Sequence, residues 1–232
     1  MIAPSLATGD LLNLEEEVRA LEQAGAKSLH FDIMDGHFVP LLTIGVPVLE
    51  QMRKITSLNL DVHIMITNPD ETFERYLDAG ADTLTFHFEA ARHAHRIVAA
   101  IQERNKKAGI SINPGTPWQS LKALLPLVDQ VTVMGVNPGF SRQKHIPHTK
   151  QTIQEINNFC GEKGLHDLVI QVDGGVSDQN IAALYAAGAT NFVAGGYVFG
   201  NPDAKLQFSD KIAKYSQAIQ NLLHTIKRRE DE

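Results

Sequence analysis

The sequence predicts one α/β domain over residues 1–232 with a (β/α)8 fold, the TIM barrel. Three observations predict it. Eight short β-rich runs alternate with longer amphipathic segments, the chain is close to the roughly 250 residues of such a barrel, and no Pro- or Ser-rich linker divides it. A doubly wound open sheet is the main alternative. That fold usually has fewer strands, and the GxGxxG turn typical of its first strand is absent here.

Each predicted strand is a short run rich in β-branched and aromatic residues, bounded by turn residues. The strands are predicted at Ile2–Leu6, Ser28–Ile33, Leu58–Ile66, Thr83–Phe88, Ala108–Ile112, Gln130–Val136, Leu168–Val172 and Asn191–Ala194. Helical patterns are clearest at Leu14–Gln23, Pro69–Asp78, Leu121–Leu127, Thr149–Lys163, Asp178–Ala187 and from Phe208 to Lys227. An Ala-Gly-Ala triplet ends three helical patterns, at Gly25, Gly80 and Gly188, where a left-handed glycine typically stops a helix.

Charge and composition exclude several classes of protein. The chain has 21 Lys and Arg against 27 Asp and Glu, and a net charge of −6 is a poor match to nucleic acid or to an anionic membrane surface. Its single cysteine, Cys160, cannot form an internal disulfide, and no apolar run approaches the roughly 20 residues of a membrane span. We therefore expect a cytoplasmic protein that binds neither nucleic acid nor membranes.

Four metal-binding side chains lie at predicted strand ends, where barrel enzymes carry their reacting groups. Alternation places His30 and Asp32 on one face of the second strand and His63 on the same face of the third, and Asp173 ends the seventh. Buried polar groups need a partner or an ion. Imidazole together with carboxylate favours Zn, Fe, Mn or Co over Mg or Ca, so we expect one divalent metal ion. The alternative is four separately satisfied core polar groups.

Glycine-rich turns follow the last strands. The pair Gly174-Gly175 follows the seventh strand and Gly195-Gly196 the eighth, where barrels commonly bind phosphate through backbone N–H groups and a helix N-terminus. The loop Asn137–Gln143 after the sixth strand adds a glycine, a hydroxyl group and a cation. We therefore expect a phosphorylated substrate.

Five stretches, in this order, resemble the ribulose-phosphate 3-epimerase family: LHFDIMDGHFVP, LDVHIMITNP, VMGVNPGF, VDGGV and FVAGGYVFG. The resemblance runs from IAPSLA near the start to VFG at 198–200, essentially the whole barrel. It implies a (β/α)8 fold, a small ketose phosphate as substrate, and acid–base roles for Asp32 and Asp173. The metal ligands it implies are His30, Asp32, His63 and Asp173. We also expect a homo-oligomer.

The expected substrate pocket combines residues that the resemblance implies with the three phosphate loops. Its members are Ser5, Met34, His63, Met65, Met134, Gly139, Phe140, Ser141, Arg142, Gly174, Gly175, Gly195 and Gly196. Thioether side chains suit a flat, polarisable intermediate and keep water from it.

The chemistry of a 3-epimerase accounts for two aspartates and a metal. Inverting C3 of a 2-ketose removes the C3 proton beside the C2 carbonyl and returns a proton to the opposite face. This needs two proton-transfer groups on opposite faces of a planar cis-enediolate, each typically worth ~10²–10⁴ in rate. Asp32 and Asp173 belong to strands two and seven and can approach from opposite sides. A metal at the C2 and C3 oxygens stabilises the enediolate.

The sequence departs from the usual family pattern at a few positions, most of them near the expected phosphate end. Leu41 stands where the family typically has Asn, Gly135 and Gly196 where it has Ser, His145 where it has Phe, and Ser141-Arg142 where it has Gly-Gly. These departures bear on the sugar phosphate and leave the reaction type unchanged. We expect D-ribulose 5-phosphate and D-xylulose 5-phosphate. The alternative is a hexulose phosphate such as D-allulose 6-phosphate.

Two further alternatives lie outside this reaction. One is a non-catalytic barrel that only binds a phosphate, but drift would be expected to erase four costly buried ligands first. The other is a barrel enzyme of nucleotide or tryptophan synthesis, which shares the late phosphate site and does not require the metal ligands.

The remaining polar residues carry weaker expectations. His87 and Glu89, at the end of strand four, match a His-x-Glu pattern of the family. A role in supporting the site and a contact with the substrate are equally expected for them. The histidines of loops and helices are expected at the surface: His37, His93, His95, His145, His148, His166 and His224.

Overall fold

The computed structural model describes residues 1–200 and 206–230, and its strands form one eight-stranded parallel sheet. The strands are β1 (Ile2–Ala3), β2 (Ser28–Met34), β3 (Asn59–Met65), β4 (Thr83–His87), β5 (Lys107–Ile112), β6 (Gln130–Met134), β7 (Val169–Asp173) and β8 (Asn191–Val193). The order is β1-β8-β7-β6-β5-β4-β3-β2. A bridge between Ser5 and His30 joins the two ends, and the His30 amide donates to the Pro4 carbonyl at 2.9 Å. The sheet closes into a barrel, which confirms the predicted fold.

Helices connect the strands. They are α1 (Leu14–Gln23), α2 (Val46–Ile55), α3 (Pro69–Asp78), α4 (Ala94–Glu103), α5 (Thr149–Lys163), α6 (Ile181–Ala186), α7 (Gly196–Phe199) and α8 (Phe208–Glu230). The predicted helix stops are confirmed, because Gly25, Gly80 and Gly188 have φ of +89°, +109° and +116°, a region that side chains rarely enter. Over residues 1–200 and 206–230, no helix is long and apolar enough to cross a membrane.

The connection between β5 and β6 differs from the prediction. The α-helix expected at Leu121–Leu127 is instead two separate 3₁₀ turns, Trp118–Leu121 and Leu125–Leu127. Pro126 explains the difference, since it lacks an N–H and its ring clashes with the carbonyl four residues before it in an α-helix.

The first strand is shorter than predicted. The expected strand Ile2–Leu6 ends at Ala3, and the chain continues into a 3₁₀ turn at Leu6–Thr8. Pro4 explains the early end, because proline has no N–H to donate to a neighbouring strand.

Outward and inward side chains alternate along each strand and differ in polarity. The outward Leu29 and Phe31 of β2 are fully buried in the apolar core between sheet and helices. The barrel interior is polar by contrast. There Asp61 accepts hydrogen bonds from the side-chain amides of Gln171 at 2.6 Å and Gln130 at 3.2 Å. The apolar layer outside the sheet supplies most of the hydrophobic stabilisation, and the interior carries polar groups that support a site at one end.

Candidate active site

Two histidines and two aspartates converge at the carboxyl end of the barrel. They are His30, Asp32, His63 and Asp173, from β2, β3 and β7. Asp32 lies opposite His63 in the β2–β3 register, and alternation directs both side chains into the barrel. One ligand atom from each of the four lies within 4.8 Å of the others, and all four residues are buried. The structure thus brings together the four residues expected to hold a metal.

Two buried ring nitrogens of this cluster have no hydrogen-bond partner in the described part of the chain, His30 Nε2 and His63 Nδ1. His30 Nε2 is 3.3 Å from Asp32 Oδ1, and His63 Nδ1 is 3.3 Å from Asp173 Oδ2. A buried polar atom without a partner costs free energy. Ring nitrogens facing carboxylate oxygens are also a donor set that divalent transition metals prefer. The four residues therefore fit a metal ion.

The other nitrogen of each ring has a partner. His30 Nδ1 lies 2.8 Å from Asp61 Oδ2, and His63 Nε2 lies 2.9 Å from His87 Nε2. A ligating imidazole usually donates its second N–H to such a partner, which fixes the tautomer and the ring orientation. Sequence reasoning missed Asp61. The signal was present, because the alternation that directs His63 inward also directs Asp61, two residues earlier, inward.

The carboxylates and rings of the cluster shift one another's pKa values. Burial opposes the charged form of Asp32, but His30 and His63 outweigh it and hold the pKa of Asp32 below its usual value. The pKa of Asp61 is lowered against burial in the same way, chiefly by His30. Burial also opposes the charged rings, yet Asp32 and Asp61 raise the pKa of His30, and Asp173 and Asp32 raise that of His63. The ionised carboxylates make this end of the barrel attractive to a cation.

A cavity of about 400 Å³ is lined by Asp32 and Asp173. Ser5 also lines it and donates its hydroxyl to Asp32 Oδ2 at 2.5 Å. The other expected pocket residues on its wall are Met34, Met65, Met134, Gly139, Phe140, Ser141, Arg142, Gly174, Gly175, Gly195 and Gly196. His63 is not on the wall, because its ring is fully buried behind the carboxylates of Asp32 and Asp173.

Four residues with a hydroxyl group on the cavity wall were missed from the sequence: Thr8, Thr43, Ser177 and Tyr197. Thr43 Oγ1 donates to the Asp32 carbonyl at 2.7 Å and accepts from the Met34 amide at 3.0 Å. It therefore holds the end of β2. Single hydroxyl residues in loops are too common for the sequence to have singled these out.

Arg142 joins two loops at the edge of the cavity. Its φ of +61° is uncommon for a residue with a side chain, and its guanidinium donates to the Thr8 carbonyl at 3.1 Å. The side chain also passes close to Gly196, where a Cβ would lie 3.3 Å from Arg142 Cγ. A guanidinium has five N–H donors, so the contact with Thr8 leaves others for a ligand.

The expectation that His145 lies at the surface is wrong. His145 is partly buried, and its ring Nδ1 lies 2.9 Å from the Gly174 carbonyl, which can only accept, so Nδ1 carries a proton. A Cβ on Gly175 would lie 2.7 Å from the His145 amide nitrogen. His145 therefore packs the loop after β6 against the loop after β7, which sequence alone does not place together. The other histidines are exposed as expected: His37, His93, His95, His148, His166 and His224.

Solved structures of low sequence identity share this fold. The 3-keto-L-gulonate-6-phosphate decarboxylase of Vibrio cholerae aligns with a TM-score of 0.71 at 16% identity, over 98% of this chain and 97% of that one. Phosphoribosyl anthranilate isomerase of Thermus thermophilus gives 0.66 at 14% identity, over 95% and 98%. At these identities the likeness shows the fold alone.

Sequence comparison is more specific. Residues 1–199 match the model of the Ribulose-phosphate 3 epimerase family. The ribulose-phosphate 3-epimerase of Bacillus subtilis is 43% identical over 209 residues, 90% of this chain and 96% of that protein. That of Escherichia coli is 41% identical over 206 residues, 88% and 91%. The chain belongs to the ribulose-phosphate 3-epimerase family.

Proposed function

We propose that this isomerase is a metal-dependent ketose-phosphate 3-epimerase that interconverts D-ribulose 5-phosphate and D-xylulose 5-phosphate. One observation carries the proposal: Asp32 and Asp173, from the non-adjacent strands β2 and β7, share one cavity wall. Beside them lie two ring nitrogens without a hydrogen-bond partner among residues 1–200 and 206–230. This is the arrangement that a proton exchange between two faces of one carbon requires. The relatives are named for ribulose phosphate, which supports one member of this pair.

In the proposed mechanism each aspartate has one oxygen in the cluster and one available for a proton. Asp32 Oδ1 faces His30, while Asp32 Oδ2 accepts from Ser5 and lies beside the cavity. One carboxylate removes the C3 proton from one face of the sugar, and the other aspartate returns a proton to the opposite face. A divalent ion held by His30, Asp32, His63 and Asp173 would act as a Lewis acid that stabilises negative charge on the substrate oxygens.

The cavity wall supports this chemistry by excluding water. Met34, Met65 and Met134 are 7%, 1% and 2% exposed, and all three line the cavity. Their thioether groups present a polarisable surface without a proton to donate, so the planar intermediate takes its proton from an aspartate.

The three loops of the expected phosphate site also lie on this wall. We propose that the glycine pairs after β7 and β8 contact the substrate phosphate through their amides. Arg142 would add a charged contact, since it is held at the cavity edge by Thr8.

The metal, the assembly and the compartment are part of the proposal. Two nitrogen and two carboxylate ligands favour Zn, Fe, Mn or Co. A homo-oligomer is supported by large apolar side chains exposed on loops at the carboxyl end of the barrel, Leu12 at 95%, Leu42 at 77% and Phe140 at 51%. A cytoplasmic location is supported by the lone cysteine.

A hexulose phosphate such as D-allulose 6-phosphate is the second candidate substrate. It is favoured by Arg142 and His145, two large side chains that shape the loop after β6. Steady-state kcat/KM on a panel of five- and six-carbon ketose phosphates, with metal content measured in the same samples, tests both candidates. We expect the highest kcat/KM on the pentulose phosphates and about one divalent ion per chain. A fully active protein without metal, or one without epimerase activity on the whole panel, would overturn the proposal.

A further inference from the structure

A buried histidine and a partly buried glutamate side chain behind the cluster are not used by the proposed mechanism. His87 ends β4 and Glu89 lies in the 3₁₀ turn that follows it. The His87 ring is fully buried and stacks on the His63 ring, with centroids 4.9 Å apart and an interplanar angle of 22°. Neither His87 nor Glu89 lines the cavity, so neither is placed to touch the substrate.

The hydrogen bonds around Glu89 determine where the first proton lies. Glu89 Oε1 accepts from the Asn113 amide at 2.7 Å and from the Thr116 hydroxyl, and Oε2 lies 3.2 Å from His87 Nδ1. Burial works against the charged carboxyl, but bonds from His87, Thr116 and Asn113 lower the pKa of Glu89 to about 2. An ionised carboxylate only accepts, so His87 Nδ1 carries the proton of this bond.

The proton on His87 Nδ1 determines which nitrogen of His63 carries a proton. The His87 ring is fully buried, which disfavours its charged form, and a neutral ring with a proton on Nδ1 has a lone pair on Nε2. That lone pair faces His63 Nε2 at 2.9 Å, so His63 Nε2 is the donor. A neutral His63 ring carries a single proton, and here that proton is on Nε2. Its Nδ1, which faces Asp32 and Asp173, is therefore unprotonated.

We propose that Glu89 and His87 form a hydrogen-bond relay that fixes His63 in its Nε2–H tautomer and so leaves Nδ1 free to bind the metal. The inference rests on the proposed function, because it takes His63 as a ligand. Glu89 and His87 are positioning residues: they act on the metal through His63. Asp61 plays the corresponding part for His30, but in one step instead of two.

The variant Glu89→Gln reverses the direction of the relay. Asn113 and Thr116 still donate to the oxygen of residue 89, so the new NH2 group points at His87 Nδ1. His87 must then accept there and donate from Nε2, and His63 moves its proton to Nδ1, where it blocks metal. Competition with a chromophoric chelator for Zn²⁺ measures the affinity. We expect it to fall by roughly 10–100-fold, the usual effect of losing an outer partner of a metal ligand.

Glu155→Gln is the matched control. Glu155 also accepts a side-chain hydrogen bond, from Trp118 Nε1 at 2.7 Å, and it lies outside the cluster. Its substitution should leave Zn²⁺ affinity unchanged. Equal affinity in the parent protein and in Glu89→Gln would overturn the relay and leave the proposed function standing. A parent protein that binds no divalent metal would overturn both.

A spectroscopic measurement keeps the relay testable even if Glu89→Gln does not fold. Nitrogen-15 NMR of the histidine rings in the Zn²⁺-loaded parent protein reports which nitrogen of His63 carries a proton. We expect the proton on Nε2. A proton on Nδ1, with Nε2 unprotonated, would overturn the relay whatever the behaviour of the variants.

Discussion

Replacing Asp173 with Asn removes one of the two proposed proton-transfer groups with almost no change in shape. Asp173 Oδ2 is 3.3 Å from His63 Nδ1, and the Asn oxygen can keep that position while the NH2 group cannot take up a proton. Positioned acid–base groups contribute ~10²–10⁴ in rate, so we expect kcat to fall by that factor, roughly 3–5 kcal/mol in activation free energy. Metal content is measured alongside, because Asp173 is also a proposed ligand.

Solvent deuterium distinguishes loss of one base from general damage. With Asp173→Asn, the remaining Asp32 can still exchange the C3 proton of one epimer with D2O and return deuterium to the same face, without inversion. Asp32→Asn should exchange the other epimer instead. Mass spectrometry of each epimer recovered from D2O checks this complementary pattern. Near-normal turnover by fully metallated Asp173→Asn, or exchange of the same epimer by both variants, would refute the two-aspartate mechanism.

Three further predictions concern the phosphate end and the metal. Arg142→Ala should raise KM for the phosphorylated ketose about tenfold and weaken inhibition by inorganic phosphate. An unchanged KM and unchanged inhibition would show that Arg142 does not contact the phosphate. Gly175→Ala places a Cβ 2.7 Å from the His145 amide nitrogen at a φ of +68°, so we expect Tm to fall by at least about 2–4 °C. Gly161→Ala is the control, because a Cβ there meets open space, and it should not lower Tm. Because carboxylates raise the pKa of His30 and His63 above the usual value, protons compete with metal, and chelator competition should show Zn²⁺ affinity falling as the pH is lowered toward about 6.5, the ordinary histidine pKa. Affinity that stays constant over this range would contradict the ligand assignment.

The sequence predicted the barrel well because the alternation of strands and helices is a local property. Strand β2 was predicted from Ser28 to Ile33 and extends to Met34, and α1, α3 and α5 have the predicted bounds. Two errors fall where proline intervenes, and other ends differ by a few residues, as in β6, which was predicted to extend to Val136 and ends at Met134. Pro126 replaces an expected helix with two 3₁₀ turns, and Pro4 shortens β1. Both could have been anticipated from the missing N–H of proline.

The four proposed ligands were also predictable, since they follow from period-two alternation and strand ends. Their partners were predictable only in part: alternation directs Asp61 inward and the resemblance implied a supporting role for His87 and Glu89, but their contacts were not predicted. His87 is inward by alternation, but its contact with His63 depends on the β3–β4 pairing, and the Glu89 contacts with Asn113 and Thr116 join two loops far apart in sequence. Such contacts follow from the closed barrel and from no local pattern.

Four of the departures from the family pattern form two packed pairs in the structure. A Cβ on Gly135 would lie 2.7 Å from His145 Nδ1, and a Cβ on Gly196 would lie 3.3 Å from Arg142 Cγ. Each large side chain in the loop after β6 therefore takes space that a side chain at the matching glycine would need. Neither pair touches the partners of the metal cluster, because Asp61 and His87 contact it from inside the barrel. The loops proposed to face the substrate phosphate can therefore change while the proposed proton-transfer groups keep their surroundings, so we infer that the choice of sugar and the type of reaction are separable in this fold.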